Sequence, residues 1–459
     1  MEKERISRII QHVIPGLLDP SRVAAATDSL ISLNTPLRLP CGMSIPNRVF
    51  KPAMTEGQAD ETNHPTDRLA WLYRQWAGSG IGLHITGNIM VDRRFLERPG
   101  NVAMDMKFPW PAEAVQKAKE WVSEAKSGGA VVIAQLGHPG LRCNPLVNKI
   151  FPSSSSGTPT PGGAVSTEMP VEEVQAIPAR FAHAARMCRE VGFDGVQIHD
   201  THGYLLHEFL TPTDNHRCDE WGGPLENRAR LLLDTVAAVR AAIGPKLALS
   251  IRFPVSEMKE QGLTYKEVIQ VAQWAVAKGA VDLLDFSGDW SGMYTAAAGK
   301  GNPDPPDGTS ALPPKEGNFL NYVQVMRPYF NGVPVITASA FETKSAMNHA
   351  VSTGAADMVG IGRALIVPGW GVDVKTMLEA PVEHAPVIRS NGPTNTLRDL
   401  RWIYWQMHLK CNGGDWDEKI DVQGAHANMV AYEKEWVRKY HATFPVDMHM
   451  WAHPNPAAD

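Results

Sequence analysis

The chain has 459 residues, 43% of them hydrophobic and 8% aromatic, so it can bury the core of one barrel-sized domain with an added segment, or of two domains. Its 44 basic and 49 acidic residues are interspersed and give a net charge of -5, which excludes a basic surface for nucleic acid or an anionic membrane. The expected partner is therefore a small molecule.

Eight short apolar runs predict eight β-strands, at 49–54, 83–90, 131–136, 195–199, 247–253, 283–287, 334–337 and 358–361. Segments with helical periodicity lie between them, at 111–127, 171–190, 226–242, 265–278, 319–329 and 343–353. Strands that alternate with helices form a parallel sheet, and for eight units we expect a closed (β/α)8 TIM barrel. An open doubly wound sheet is the alternative, but no G-x-G-x-x-G motif follows the first strand.

The same pattern divides the chain into an N-terminal segment at 1–48, a barrel at 49–371 and a C-terminal extension at 372–459. Two stretches, 151–167 and 288–317, are so rich in Pro, Gly and Ser that we expect long loops on the active face, although tolerated surface insertions are an alternative. The extension should pack on the barrel or on a second subunit, in a monomer or homodimer, because it carries five of the 13 tryptophans: Trp402, Trp405, Trp416, Trp436 and Trp451.

Five scattered cysteines without a C-x-x-C pair argue against a disulfide framework or a thiolate zinc site. The first residues mix acids and bases, unlike a secretory signal, and no run of eighteen apolar residues occurs. We expect a soluble, cytoplasmic protein.

Polar residues collect where the predicted strands end, which is the face that carries the active site in barrel enzymes. The fourth strand runs into IHDTHGY at 198–204, with two imidazoles and a phenol in seven residues. Such side chains are costly at the end of a buried strand unless something binds there. Further polar strand ends lie at Thr55, Gln135, Arg252 and Arg363.

This arrangement resembles the Old Yellow Enzyme family of FMN-dependent ene-reductases over about residues 36–370. The resemblance rests on NRVFKPAMT at 47–55, QLGHPG at 135–140, GFDGVQIHDTHGYLLHEFLTPTDNHRCDEWGGPLENR at 192–228, SIRFP at 250–254 and VGIGRAL at 359–365. It implies bound FMN, NADPH or NADH as co-substrate, and ping-pong reduction of the activated C=C bond of α,β-unsaturated carbonyl compounds.

The resemblance also assigns residues to the cofactor. Gln135 would contact the flavin pyrimidine ring, and Arg252 would place a positive charge near N1. Thr55 would lie beside O4 and N5 and act as a catalytic residue, because its hydroxyl would tune the redox potential of the flavin by hydrogen bonding. Backbone contacts to the ring and contacts to the phosphate would come from Ala53, Met54, Gly87, Gly362 and Arg363. The family's usual Gly-Gly pair after the seventh strand is replaced here by Ala338 and Ser339, which leaves the phosphate geometry open.

For catalysis, the resemblance implies that His199 and His202 grip the substrate carbonyl and that Tyr204 protonates its α-carbon. Structural roles are the alternatives: a surface ion pair for Arg252, a backbone-satisfied hydroxyl for Thr55, and a core ring for Tyr204. H-x-x-H spacing could also ligate zinc, but no third ligand has motif support, so we expect no metal. Alternative functions are a reductase or isomerase specialised for one metabolite, a flavin-binding protein without turnover, or a metal-dependent barrel hydrolase.

Overall fold

The computed structural model describes residues 31–144, 147–148, 153–157, 166–255, 262–278, 280–288, 320–330, 332–339, 341, 343–362, 365, 374–379, 405–412 and 422–443. Its centre is a parallel barrel of β1 (Val49–Lys51), β2 (Leu83–Met90), β3 (Val131–Gly137), β4 (Gly195–His199), β5 (Ala248–Pro254), β6 (Leu283–Ser287), β7 (Val335–Thr337) and β8 (Met358–Gly360). Each strand pairs with the next, and β8 pairs with β1, which closes the cylinder. The predicted (β/α)8 barrel is therefore confirmed.

Helices surround the barrel. They are α1 (Asp67–Ala77), α2 (Ala112–Lys126), α3 (Val171–Val191), α4 (Leu205–Leu210), α5 (Leu225–Ile243), α6 (Tyr265–Ala277), α7 (Leu320–Met326), α8 (Lys344–Ser352), α9 (Val374–Glu379) and α10 (Val422–Thr443). The sequence predicted α2, α3 and α5 to α8, and it missed the other four. The start of α6 is a local sequence signal. The Thr264 side chain accepts from the Glu267 amide, and the Glu267 carboxylate accepts from the Thr264 amide, so the two residues form a capping box.

The N-terminal end of the barrel is filled by apolar side chains. A short antiparallel hairpin, Leu37–Arg38 paired with Ser44–Ile45, precedes β1. Its apolar residues are buried in one cluster with the first inward-facing residues of the barrel strands, among them Phe50 and Leu83. Because these side chains exclude water at this end, polar groups can be accommodated only towards the carboxyl ends of the strands.

Strand register places the polar residues in layers, since register partners in a parallel sheet project to the same side. His199 on β4, Arg252 on β5 and Asp285 on β6 are partners across three consecutive strands. A second layer joins Asn88 on β2 to Gln135 on β3. The register of β2 shifts between Ile85 and Asn88, and this bulge turns Asn88 towards the barrel interior.

Within 151–167 the structure describes residues 153–157 and 166–167, and part of these forms a β-ladder, so the expectation of a loop was wrong for Ser153, Ser154 and Thr167. Ser153–Ser154 pairs with Thr167–Glu168 as a two-residue ladder. The Ser154 and Ser166 hydroxyls are 2.8 Å apart, and the Ser155 amide donates to the buried Glu208 carboxylate. Side-chain hydrogen bonds thus hold residues 153–157, which are four serines and a glycine. The predicted loop at 288–317 lies outside the described residues except for Gly288.

Helix α10 lies in the C-terminal part of the chain and contacts loops on the active face. Trp436 donates to the Ala59 carbonyl, Tyr440 donates to the Arg93 carbonyl at 3.2 Å, and a His441 ring nitrogen lies 3.0 Å from the Val147 carbonyl. Of the five tryptophans beyond residue 371, Trp402, Trp416 and Trp451 lie outside the described residues. The division of the chain near 48 and 371 stays a prediction.

No helix in the described ranges combines the length and apolar character that crossing a bilayer requires.

Candidate active site

The turn after β4 is held in an unusual backbone conformation. His202 and Gly203 both have left-handed φ angles, of 61° and 71°, and His202 is one of only two non-glycine residues with positive φ in the described chain. A Cβ atom on Gly203 would lie 2.8 Å from the Arg142 guanidinium, whose Nε donates to the His202 carbonyl at 3.1 Å. Strain of this kind is concentrated at functional sites, because surrounding contacts must enforce it.

This turn brings together three of the four residues predicted to be catalytic, His199, His202 and Tyr204, while the fourth, Thr55, follows β1. His199 Nε2 lies 3.1 Å from His202 Nδ1, and the rings of His199 and Tyr204 are 4.2 Å apart. His199 is 3% exposed and Tyr204 4%. Two imidazoles and one phenol therefore meet at the carboxyl end of β4, where His199 and Tyr204 are buried and His202 is partly exposed.

Both imidazoles are neutral near pH 7. Burial lowers the pKa of His199 well below its ordinary value, and the nearby His202 and Arg252 lower it further. Burial, followed by Arg252, lowers the pKa of His202 in the same direction. Each ring consequently carries a single N–H group, so the position of that hydrogen decides which nitrogen can donate.

Arg252 is an interior residue, 7% exposed, and not half of a surface ion pair. Its Nη2 donates to Ser287 Oγ at 2.9 Å, and Ser287 Oγ lies 3.4 Å from His202 Nε2. Its Nε is 3.5 Å from Asp285 Oδ2 but has no hydrogen-bond acceptor among the described residues. Burial raises the pKa of Asp285, while Arg252 opposes that rise.

Gln135 and Thr55 occupy the neighbouring strand ends. Gln135 Nε2 donates to Gln197 Oε1 at 2.7 Å, inside the barrel. The Thr55 hydroxyl donates to Glu97 Oε2 at 2.9 Å, so it is satisfied by a distant carboxylate and not by local backbone. Gly87 lies against the backbone of Met54 and Thr55, where an added Cβ would meet Met54 O at 2.5 Å.

The predicted phosphate end is described only in part, because Arg363 lies outside the described residues. The hydroxyls of Ser339 and Thr337 are 2.8 Å apart and fully buried. The side chain of Ser339 therefore hydrogen-bonds within its own strand end. Gly362 is close to Met54, whose Sδ would be 3.2 Å from an added Cβ, and Ala53 is partly exposed nearby on the same segment.

The residues at the strand ends suit the pyrimidine side of a flavin. The buried Arg252 Nε has an N–H group without an acceptor, and a flavin edge offers oxygen and nitrogen acceptors. Gln135 adds an amide in the adjacent layer. Within the described ranges no three His, Cys, Asp or Glu side chains are grouped as metal ligands.

The sequence assigned no role to three further residues: Asn88, which lies near the end of the second predicted strand, Glu97 and Ser287. Asn88 Oδ1 lies 2.8 Å from His199 Nδ1, and its Nδ2 is 3.1 Å from both the Tyr204 oxygen and Glu97 Oε2. Strict strand alternation would have put Asn88 outside the barrel, and only the glycine at 87 hinted at the bulge. Glu97 gave no sequence signal because it lies in a loop.

Residues 32–380 match the sequence profile of the NADH:flavin oxidoreductase / NADH oxidase family. The chain belongs to this family. The resemblance to Old Yellow Enzyme is thereby confirmed, and the protein is an NAD(P)H-dependent flavin oxidoreductase with FMN as its cofactor.

Individual relatives agree with this assignment. An NADH-dependent flavin oxidoreductase of Hypocrea jecorina is 30% identical over 349 residues, which cover 72% of this chain and 86% of that protein. A cinnamate reductase of Clostridium sporogenes is 28% identical over 71% of this chain, and the match spans half (50%) of that longer protein. The solved Old Yellow Enzyme homologue of Zymomonas mobilis has the same fold, with a TM-score of 0.62, 24% identity and coverage of 78% and 95% of the two chains.

Proposed function

We propose that this site reduces the activated C=C bond of α,β-unsaturated carbonyl compounds. The observation that carries the proposal is the convergence of His199, His202 and Tyr204 on one buried space, with the two imidazole nitrogens 3.1 Å apart. Reducing such a bond needs a donor for the carbonyl oxygen and a proton for the α-carbon. The name of the related cinnamate reductase, which refers to an α,β-unsaturated acid, supports the same bond type.

The strand ends supply the means to hold the cofactor. Arg252 and Gln135 would bind the pyrimidine side of FMN, and the Arg252 charge would balance the anionic reduced ring. Ala53, Met54, Thr55 and Gly87 would line the ring, and the backbone around Ala338, Ser339 and Gly362, with Arg363, would face the phosphate. When bound, FMN supplies two-electron transfer between NADPH or NADH and the acceptor.

The side chains that converge at the end of β4 would carry out the steps on the substrate. A ring N–H of His199 or His202 would donate to the substrate carbonyl oxygen and stabilise the enolate charge that develops there. The Tyr204 hydroxyl would hold the proton for the α-carbon, which is a strong enough base to take it from a phenol. Burial strengthens both interactions, because few water molecules can compete.

NADPH or NADH and the unsaturated substrate would occupy this space in turn, which gives ping-pong kinetics. A reductase or isomerase dedicated to one metabolite would use the same residues with a narrower pocket. Initial rates at several fixed concentrations of each substrate distinguish the order of binding: parallel double-reciprocal lines support the shared site, and intersecting lines contradict it.

The decisive experiment is anaerobic. The FMN-loaded protein is bleached with NADPH and mixed with 2-cyclohexenone, and the return of yellow colour is followed. We expect rapid reoxidation by the wild type, at least about a hundredfold slower reoxidation by Tyr204→Phe, and weaker enone binding by His199→Ala combined with His202→Ala. Wild-type protein that stays bleached, or variants that reoxidise at its rate, would contradict the proposal.

A further inference from the structure

The amide of Asn88 touches two of the three residues assigned to catalysis, and its direction has chemical consequences. Its Oδ1 faces His199 Nδ1 at 2.8 Å, and its Nδ2 faces the Tyr204 oxygen at 3.1 Å. An amide turned by 180° about its last bond would occupy the same volume and exchange donor for acceptor. Something must therefore select one direction.

Glu97 makes that selection. Its Oε2 lies 3.1 Å from Asn88 Nδ2, and a carboxylate can only accept, so the NH2 group must face Glu97. The same oxygen already accepts from the Thr55 hydroxyl at 2.9 Å. Because one oxygen accepts from two donors, the carboxylate is held between the ends of β1 and β2. If the Asn88 amide were reversed, its oxygen would face the Glu97 carboxylate, and two acceptors would repel each other.

The loop that carries Glu97 is itself anchored. The backbone of Leu96 accepts from Asn148 Nδ2 at 2.7 Å and donates to Asn148 Oδ1 at 2.8 Å. The Leu96 side chain is buried in one cluster with Trp436 and Tyr440 of helix α10. Glu97 is thus placed by contacts from two other parts of the chain.

The selected direction has one effect at each end of Asn88. At one end the Tyr204 oxygen accepts an N–H, so the phenol's own proton is directed away from Asn88, and a phenolate left after proton transfer keeps a donor. At the other end the amide oxygen accepts, so neutral His199 must carry its hydrogen on Nδ1. In the resting site its Nε2 then accepts from the Nδ1–H of His202, 3.1 Å away, and this His202 N–H is the one that would turn to the substrate carbonyl oxygen.

We propose that Glu97 is a positioning residue that fixes the Asn88 amide, and thereby keeps the proton of Tyr204 directed away from Asn88 and sets the tautomer of His199. This inference rests on the proposed function for the role of Tyr204. The tautomer of His199 does not depend on that function, because it follows from the contacts of the resting site alone.

The kinetic test reverses the polarity of Asn88 without changing its size. Asn88→Asp places an acceptor beside the phenol, which must then donate its proton to Asp, and it also sets two carboxylates together. Adding Glu97→Gln removes that repulsion, because the Gln amide donates to the new carboxylate. If Asn88 and Glu97 serve only packing, the double variant recovers both stability and activity.

We expect the double variant to regain the thermal midpoint that Asn88→Asp loses, while its reoxidation by 2-cyclohexenone stays roughly tenfold or more below the wild type. The dissociation constant for the enone should change less than the rate constant, because His199 and His202 are retained. Glu113→Gln, whose parent side chain is 82% exposed, is the matched surface control. Reoxidation of the double variant at the wild-type rate would overturn the proposal.

The second readout is spectroscopic and independent of turnover. In protein labelled with 15N-histidine, with His199 assigned from a His199→Gln sample, we expect a protonated Nδ1 and an unprotonated Nε2. Glu97→Ala should mix the two tautomers. A wild-type ring protonated on Nε2 would overturn the positioning role, whereas wild-type protein that never reduces enones, with Nδ1 protonated, would reject only the proposed substrate class.

Discussion

The indole nitrogen of Trp436 donates a hydrogen bond to the carbonyl oxygen of Ala59 over 3.3 Å, although 377 residues separate the two along the chain. The indole is 4% exposed and stacks on Tyr440 with ring centroids 5.0 Å apart. This contact ties helix α10 to the loop that follows β1. It makes the C-terminal part of the chain a support for the active face.

Trp436→Ala should therefore destabilise the protein by about 3 kcal/mol, because it removes a large buried ring and leaves a cavity. Urea unfolding followed by fluorescence measures the change, with Arg438→Ala on the same helix as the control, since that side chain is 68% exposed. An equal effect of the two substitutions would show that α10 contributes little to the fold.

The pH dependence of stability should show the effect of His84, which is fully buried and has no hydrogen-bond partner for either ring nitrogen in the described chain. Burial lowers the pKa of His84 to about 3, below its ordinary value of 6.5. The unfolded chain therefore binds a proton between these two values that the folded chain does not. Stability contributed by neutral His84 is complete above pH 6.5 and is lost as the pH falls.

For this residue the free energy of unfolding should fall by about 2 kcal/mol between pH 6.5 and pH 5. His84→Phe, which fills the same space with an uncharged ring, should flatten the profile by that amount. His349→Gln removes an exposed histidine and serves as the control. Unfolding titrations at both pH values give the comparison, and identical slopes for wild type and His84→Phe would refute it.

A side chain at Gly203 should destabilise the turn after β4. Its φ of 71° and an added Cβ only 2.8 Å from the Arg142 guanidinium predict that Gly203→Ala costs about 1 kcal/mol in backbone strain and more from the contact. Gly223→Ala is the matched control, because Gly223 has a φ of 79° but nothing lies within 4 Å of its added Cβ. Comparison of the urea midpoints separates strain from crowding, and equal losses would exclude the Arg142 contact as a cause.

Arg252→Met should weaken FMN binding roughly ten- to hundredfold, because it removes a charged donor from a buried site. It also leaves Asp285, 1% exposed, without its opposite charge. Fluorescence titration of the apoprotein with FMN measures the change, and Arg252→Lys should recover part of the affinity through its charge. Unaltered affinity in Arg252→Met would exclude Arg252 from the cofactor site.

Much of the fold was predictable because its signals are local. Each barrel strand is a short apolar run, and the start of the helix after Thr264 is marked by a capping box of four residues. The position of helix α10 was not predicted, because it is fixed by contacts with Ala59, Arg93 and Val147, and these residues are distant in sequence.

The candidate site was predictable where one motif carries several residues. One motif of six positions contains His199, His202 and Tyr204, so the motif also predicted that these three residues lie close together. Asn88 and Glu97 escaped because a strand bulge turns one of them inward and a loop brings the other to it. Their roles depend on which atom faces which, and a residue pattern does not carry that information.

The hairpin before β1 closes one end of the barrel with Leu37, Leu39 and Ile45. Its turn includes Gly42, where an added Cβ would meet no atom within 4 Å. This turn lies at the opposite end of the cylinder from Tyr204 and the paired imidazoles. A surface tether or fluorescent label attached at this turn would leave the entrance to the active site unobstructed. Enzyme immobilised through the turn should therefore expose its active site to the solution in a uniform orientation.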